Sequence, residues 1–190
     1  INNYVEDLEV SSISVDNAGG AESAVDYLYS LGHRKIAHIT GDMVTQASVQ
    51  RLEGYKLALK KNKLDFNEEY IFGTDYSRGQ ARQVAEKLIQ MSDPVSAVFV
   101  ASDSMALEVM AVARELGRDI PRDLSIVGFD DNPSGLYGPV ALTTVRQPLV
   151  KMAQESIKEL NLLMHADKKV APKRIILPTE MVIRESCRPL

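Results

Sequence analysis

The feature that most constrains this chain is a regular alternation. Short, almost wholly apolar runs rich in β-branched residues are separated by stretches with helical spacing. Ile36–Thr40, Tyr70–Phe72, Ala97–Ala101 and Leu124–Phe129 read as buried strands. Between them lie apolar stripes at three- and four-residue intervals. One is Ala21, Ala24, Val25, Leu28 and Leu31, a second Leu52, Tyr55, Ala58 and Leu59, and a third Ala81, Val84, Ala85, Leu88 and Ile89. A fourth runs from Met105 to Leu116 and is apolar around most of its circumference. Strands buried on both faces lack the polar alternation of a half-exposed sheet, and parallel strands need helical crossovers. The pattern therefore predicts an α/β fold with a doubly wound parallel sheet and right-handed connections. Asp16 and Ser77 stand where helix caps are expected, Asp103 is a further candidate, and Gly32 and Gly117 stand where helices should stop.

After Asp130 the rhythm changes. Asp131–Gly135 and Tyr137–Pro139 carry turn chemistry, and Leu142–Val145 reads as a short strand. Pro148 suits the first turn of a long helix whose stripe includes Leu149, Met152, Ile157, Leu160, Leu163 and Met164. Two strand-like runs, 174–177 and 180–184, close the sequence.

In an open α/β sheet, ligands sit beyond the carboxyl ends of the strands. The residues found there are Gly41 and Asp42, then Asp75 and Tyr76, then Ser102 and Asp103, then Asp130 and Asp131, with Arg146 and Gln147 after the short strand. Carboxylates, a hydroxyl, an amide and a phenol on one rim are groups that recognise sugar hydroxyls. Arg51 joins them. It falls near the start of a helix, where the macrodipole disfavours a cation, so another use is indicated. Each residue also has a structural reading. Asp103 can cap a helix, Asp131 and Asn132 can form a turn, Tyr76 and Phe129 can be core, and only position favours a ligand role for Asp130. Adjacent side chains on an extended strand end diverge, which argues against Asp130 and Asp131 as a catalytic carboxylate pair.

Other classes lack their residues. No G-x-G-x-x-G, Walker A or G-x-S-x-G motif occurs, and His33, His38 and His165 have no metal-ligand spacing. No cofactor or enzyme activity is expected. The 22 basic and 26 acidic residues give a formal net charge of −4, unsuited to holding nucleic acid without clustered cations, and the basic clusters His33–Lys35 and Lys60–Lys61 read as solvated helix ends and turns. No run reaches the ~18 apolar residues of a membrane span. The single Cys187, and a beginning with no export signal, fit a cytoplasmic protein. The lack of an initiator Met fits a fragment or a processed chain.

Six segments in register then resemble one family. They are Gly32–Ile39, Arg51–Tyr55, Ala101–Ala106, Val127–Asp131, Leu142–Pro148 and Leu177–Glu180. They are similar, in order and spacing across nearly the whole chain, to the lactose/galactose repressor (LacI/GalR) family of transcription regulators. The resemblance implies a fold like type I periplasmic sugar-binding proteins, with two α/β lobes joined by three crossovers. Residues 1–15 would be the tail of the N-terminal lobe and 16–145 the C-terminal effector-binding lobe. Residues 146–175 would hold a helix returning to the N-terminal lobe, and 176–190 the closing strands. The family's effector positions map onto Arg51, Tyr76, Ser102, Asp130 and Gln147. Ser102 stands where the family often has asparagine and has a shorter reach. The resemblance further implies a small effector of the carbohydrate class, a homodimer, and operator DNA bound through a helix-turn-helix head that this sequence lacks. A periplasmic sugar-binding protein of a transporter would share the same fold, and upstream sequence would separate the two.

Overall fold

The computed structural model describes residues 10–165 and 171–190. Residues 1–9 and 166–170 of the expected lobe tail and returning segment lie outside the described residues. The chain order is β1 (Ser12–Val15), α1 (Asn17–Ser30), β2 (Ile36–Ile39), α2 (Gln46–Lys61), β3 (Ile71–Phe72), α3 (Arg78–Ile89), β4 (Ala97–Val100), α4 (Asp103–Glu115), β5 (Ser125–Asp130), β6 (Thr143–Arg146), α5 (Leu149–Met164), β7 (Arg174–Leu177) and β8 (Glu180–Val182).

The main sheet has the order β3-β2-β4-β5-β6-β8. Its first five strands are parallel, and β8 adds an antiparallel edge against β6. Because strand side chains alternate in direction, successive residues feed two separate cores. Ala37, Ile39, Val98, Val100 and Ile126 pack with α3 and α4. Ile36, Ala97, Phe99, Val127 and Phe129 pack with α1 and α2. That two-sided burial explains why these strands read as continuous apolar runs.

Most caps follow the sequence. Asp16 accepts from the Gly19 amide and Ser77 from that of Gln80. Gly32 and Gly117, with φ of +98° and +72°, take the left-handed turn that ends α1 and α4. The third expected N-cap is corrected: Ser102, not Asp103, caps α4. Ser102 keeps extended dihedrals and its Oγ accepts from the Met105 amide, whereas Asp103 is already helical. Tyr70 falls in a 3-10 turn, leaving β3 two residues long, and the 180–184 run shortens to β8. Pro148 sits at the cap position of α5 rather than inside its first turn.

A second, two-stranded parallel sheet joins β1 to β7. Ile13, Val15 and Leu177 make a small core there with Met152 of α5. The strong stripe of α5 is otherwise uncovered among the described residues. Leu149, Val150, Ile157, Leu160 and Met164 are exposed, since nothing described packs over them.

The Gly-His pair after α1 ties the far end of the main sheet together. The buried His33 ring bonds Ser96 Oγ through Nδ1 at 2.8 Å and Ser125 Oγ through Nε2 at 3.0 Å, and Nε2 also approaches the Arg188 carbonyl at 3.2 Å. Ser186 Oγ donates to the Ile126 carbonyl at 2.6 Å, and the Leu190 amide donates to that of Leu31 at 2.9 Å. Burial holds the His33 pKa below its ordinary value, which keeps this ring neutral near pH 7.

Candidate functional site: an open concavity at the carboxyl ends of the strands

All five residues singled out in the sequence meet at one concavity of about 410 Å³. Its lining is Arg51, Tyr76, Ser102, Asp130 and Gln147, joined by Thr45, Ala47 and Ser104. Thr45, Ala47 and Ser104 were missed by sequence reasoning. Thr45 had a legible signal, because it caps α2 in the loop after β2 by accepting from the Ser48 amide.

Arg51 is the least expected of these residues physically, with only 3% of its surface exposed. It lies in the second turn of α2, beyond the reach of the helix-end field, so burial rather than the macrodipole sets it apart. Its guanidinium lies 3.7 Å above the ring of Phe129. Phe129 is thus core, as expected, and also a platform for the cation. Arg51 Nε donates to Asn17 Oδ1 at 2.9 Å, and Nη1 donates to the Ala101 carbonyl. Nη1 is 3.8 Å from Asp130 Oδ1. Burial lowers the Arg51 pKa, while the Asp130 carboxylate pulls it back. Arginine stays charged under such conditions.

Asp130 ends β5 with its side chain about one-third exposed, at 34%. Burial raises its pKa, opposed by Arg51 and by Gln147, whose Nε2 donates to Oδ1 at 2.6 Å. Asp131 turns away, though through left-handed backbone rather than the alternation of an extended strand. It pairs with Arg146 at 2.6 Å and Arg184 at 2.5 Å, which fixes the loop instead of facing the concavity.

Tyr76 is half-buried, and its hydroxyl shares a 2.7 Å hydrogen bond with Ser48 Oγ. A methyl group on Gly41 would fall 1.8 Å from Tyr76 Cζ, so one side of the ring rests directly on the Gly41 backbone. The role of glycine after β2 is this close approach.

Beneath the rim lies Asp103, 1% exposed. Its carboxylate accepts from Thr144 Oγ1 at 2.6 Å and from the Asn132 amide at 2.7 Å. It occupies the space a side chain at Gly128 would fill, since a methyl there would lie 2.2 Å from Oδ1. Burial pushes its pKa up to about 6 against those hydrogen bonds, with Asp130 and Asp131 adding repulsion.

Tyr76, Asp130 and Asp131 have φ of 65°, 125° and 58°. Left-handed backbone at non-glycine residues costs of order 1–3 kcal/mol each and gathers where function over-determines the structure. Here the Tyr76 amide donates to Thr74 Oγ1 and the Asp131 amide to Thr144 Oγ1. Among the described residues no group of three or more His, Cys, Asp or Glu could hold a metal ion, and no helix is long and apolar enough to cross a membrane.

Comparison with known proteins gives this arrangement a context. A family model described as periplasmic binding protein-like domain matches residues 25–187. The transcriptional regulator MalR of Clostridium butyricum is 38% identical over 93% of this chain and 52% of its own length. CelR of Thermobifida fusca is 33% identical over 96% of the chain and 53% of its length. CytR of Escherichia coli K12, a transcriptional repressor, is 32% identical over the whole chain and 55% of its length. The chain thus spans about half the length of the curated relatives it matches. Among solved structures, a CelR–cellobiose complex superposes with a TM-score of 0.90 at 33% identity, over 96% of this chain and 55% of that one. A LacI-family regulator from Enterococcus faecium with bound ribose gives a TM-score of 0.86 at 27% identity, over 95% of this chain and 66% of that one.

Proposed function

Since the chain belongs to the periplasmic binding protein-like domain family, in the form found in LacI-family transcriptional regulators, we propose that it is the effector-binding part of such a regulator and senses a neutral carbohydrate. The observation that carries this reading is the buried Arg51 facing the one-third-exposed Asp130 at the mouth of a parallel sheet. The pair is neutral overall, so it repels neither sign of ligand strongly and suits an uncharged polyol over a phosphate. Asp130 accepts from sugar hydroxyls. Arg51 and the Gln147 amide donate to ring or hydroxyl oxygens, and the Ser102 hydroxyl can donate while its oxygen caps α4. Tyr76 offers the ring face not covered by Gly41 for stacking on a pyranose. Cellobiose and ribose in the related structures are sugars of this neutral class.

In this reading residues 16–145 form one lobe, and 1–15 and 146–175 belong to an opposite lobe completed by upstream sequence. Residues 176–190 cross back. The uncovered stripe of α5 supports that division. A sugar held between the lobes favours the closed state and so shifts a DNA-binding head, which only upstream sequence can supply. Such coupling is typically about 1–3 kcal/mol. The protein works in the cytoplasm as a homodimer and performs no catalysis. The relatives' names favour this reading over a transporter's binding protein.

Calorimetric titration of the full-length protein with cellobiose, ribose and glucose 6-phosphate tests the proposal. One neutral sugar should bind more tightly than the phosphorylated one. Asp130→Asn should weaken it roughly 10- to 100-fold, the value of a charge-assisted hydrogen bond. Equal affinity in the parent, Asp130→Asn and Arg51→Ala would overturn it.

A further inference from the structure

Asn17 is a polar residue for which the sugar-sensing reading has no use. It is 3% exposed at the first position of α1, immediately after the chain leaves the two-stranded sheet. Its Oδ1 accepts from Arg51 Nε at 2.9 Å. Its Nδ2 donates back to the Val15 carbonyl, at the end of β1, at 3.3 Å, and to Gln50 Oε1 at 3.1 Å. One amide thus joins the buried cation of the concavity to the strand end where the chain passes between the two sheets. At the same point the Asp16 amide donates to the Leu177 carbonyl at 2.9 Å, so two of the passing segments, β1–α1 and β7–β8, are tied together there. Gln147 lies in the other connection, between β6 and α5, and bonds Asp130. Both members of the Arg51–Asp130 pair are therefore held by residues of the segments that join the two sheets.

Satisfying a buried guanidinium needs only an acceptor. A backbone carbonyl, as at Ala101, would do. Asn17 uses its second face as well, on the crossover itself, and asparagine is among the few side chains with an acceptor and a two-hydrogen donor on one rigid plane. We infer that Asn17 is a positioning residue that couples Arg51 to the β1–α1 crossover, so that a change at the concavity alters how firmly the two sheets are joined. This rests on the sensing reading for its purpose. Its physical content can be tested without any sugar.

The test is a double-mutant cycle read by hydrogen exchange of the 12–16 segment in the full-length protein, with segment 84–89 of α3 as reference. Arg51→Lys keeps the charge and removes the Nε–H donor. It should speed exchange at 12–16 about tenfold and leave the reference unchanged. In an Asn17→Ala background the same substitution should add less than about twofold. Equal acceleration in both backgrounds, or none at 12–16, would overturn the coupling. Should Arg51→Lys fail to fold, exchange of the Arg51 Nε–H itself decides. It should stay slow in Asn17→Asp, which retains the acceptor, and become fast in Asn17→Ala, whereas equal rates would overturn the assignment. A titration with cellobiose and ribose is read separately. Loss of sugar binding with the cycle intact would count against sensing and leave the coupling standing.

Discussion

His38 makes the main sheet sensitive to acid, and the size of the effect follows from its surroundings. The ring is fully buried in β2, stacked between Phe99 at 4.7 Å and Tyr55 at 5.2 Å. Nδ1 lies 2.9 Å from the Phe99 carbonyl, which requires the proton on that nitrogen. Nε2 has no hydrogen-bond partner among the described residues, and burial pushes the pKa down to about 4 with the Arg51 charge adding repulsion. Unfolding returns the ring to water and a pKa near 6.5. Below that value the unfolded chain takes up a proton the native state refuses. The stability from His38 is therefore complete above about pH 6.5 and is lost as pH falls toward 4. Between pH 7 and pH 5 this amounts to about 2 kcal/mol. His38→Phe keeps a ring in the stack and removes the titration. Urea unfolding of parent and variant at pH 7, 6 and 5 reads the difference, in which the other histidines and carboxylates cancel. The variant should lose about 2 kcal/mol less than the parent on going to pH 5. Parallel pH profiles would refute the argument that His38 is held neutral by burial.

Three further outcomes are expected. Asp103 has the opposite sign: its raised pKa makes stability complete below about pH 4 and lost as pH rises to about 6, so the parent should lose stability relative to Asp103→Asn across that window in the same unfolding assay. Gly54→Ala places a methyl 2.1 Å from the Ala18 carbonyl oxygen where α1 and α2 touch, and should cost about 1–3 kcal/mol by thermal unfolding, with an unchanged melting point as the contrary result. Ser102→Ala removes the α4 cap and should cost about 1 kcal/mol, while Asp103→Ala should leave the Met105 amide as protected from exchange as in the parent.

Much of this was legible in the sequence because it is periodic. Continuous apolar strands and helical stripes determined the layers, and the strand-end rule brought Tyr76, Ser102, Asp130 and Gln147 to one mouth, where Arg51 joins them from α2. What escaped depends on distance along the chain or on backbone angle. Asn17 matters through Arg51, 34 positions away, and Asp103 through Thr144, 41 away, and no local pattern encodes either. Ser102 and Asp103 are both residue types that cap helices, and that Asp103 instead lies beside Gly128 and bonds Thr144 shows only in the packed sheet. The left-handed φ at Tyr76 and Asp130 breaks local preference at the rim, where local reasoning is least able to follow. The stripe of α5 is plain in the sequence as apolar, but periodicity says nothing of whether a partner is present to cover it.

The His33 clasp also sets an order of events during synthesis. Strand β5 and the end of α1 are made before the Ser186, Arg188 and Leu190 groups that satisfy them, and β8 covers the edge of β6 only shortly before those groups emerge. A nascent chain that has emerged only to α5 therefore exposes an open β6 edge together with an apolar helix, the kind of species that recruits chaperones. Removal of residues 180–190, which takes away β8 and the carbonyl partner of His33 together, should leave that β6 edge open, so this segment acts as the latch that closes the main sheet.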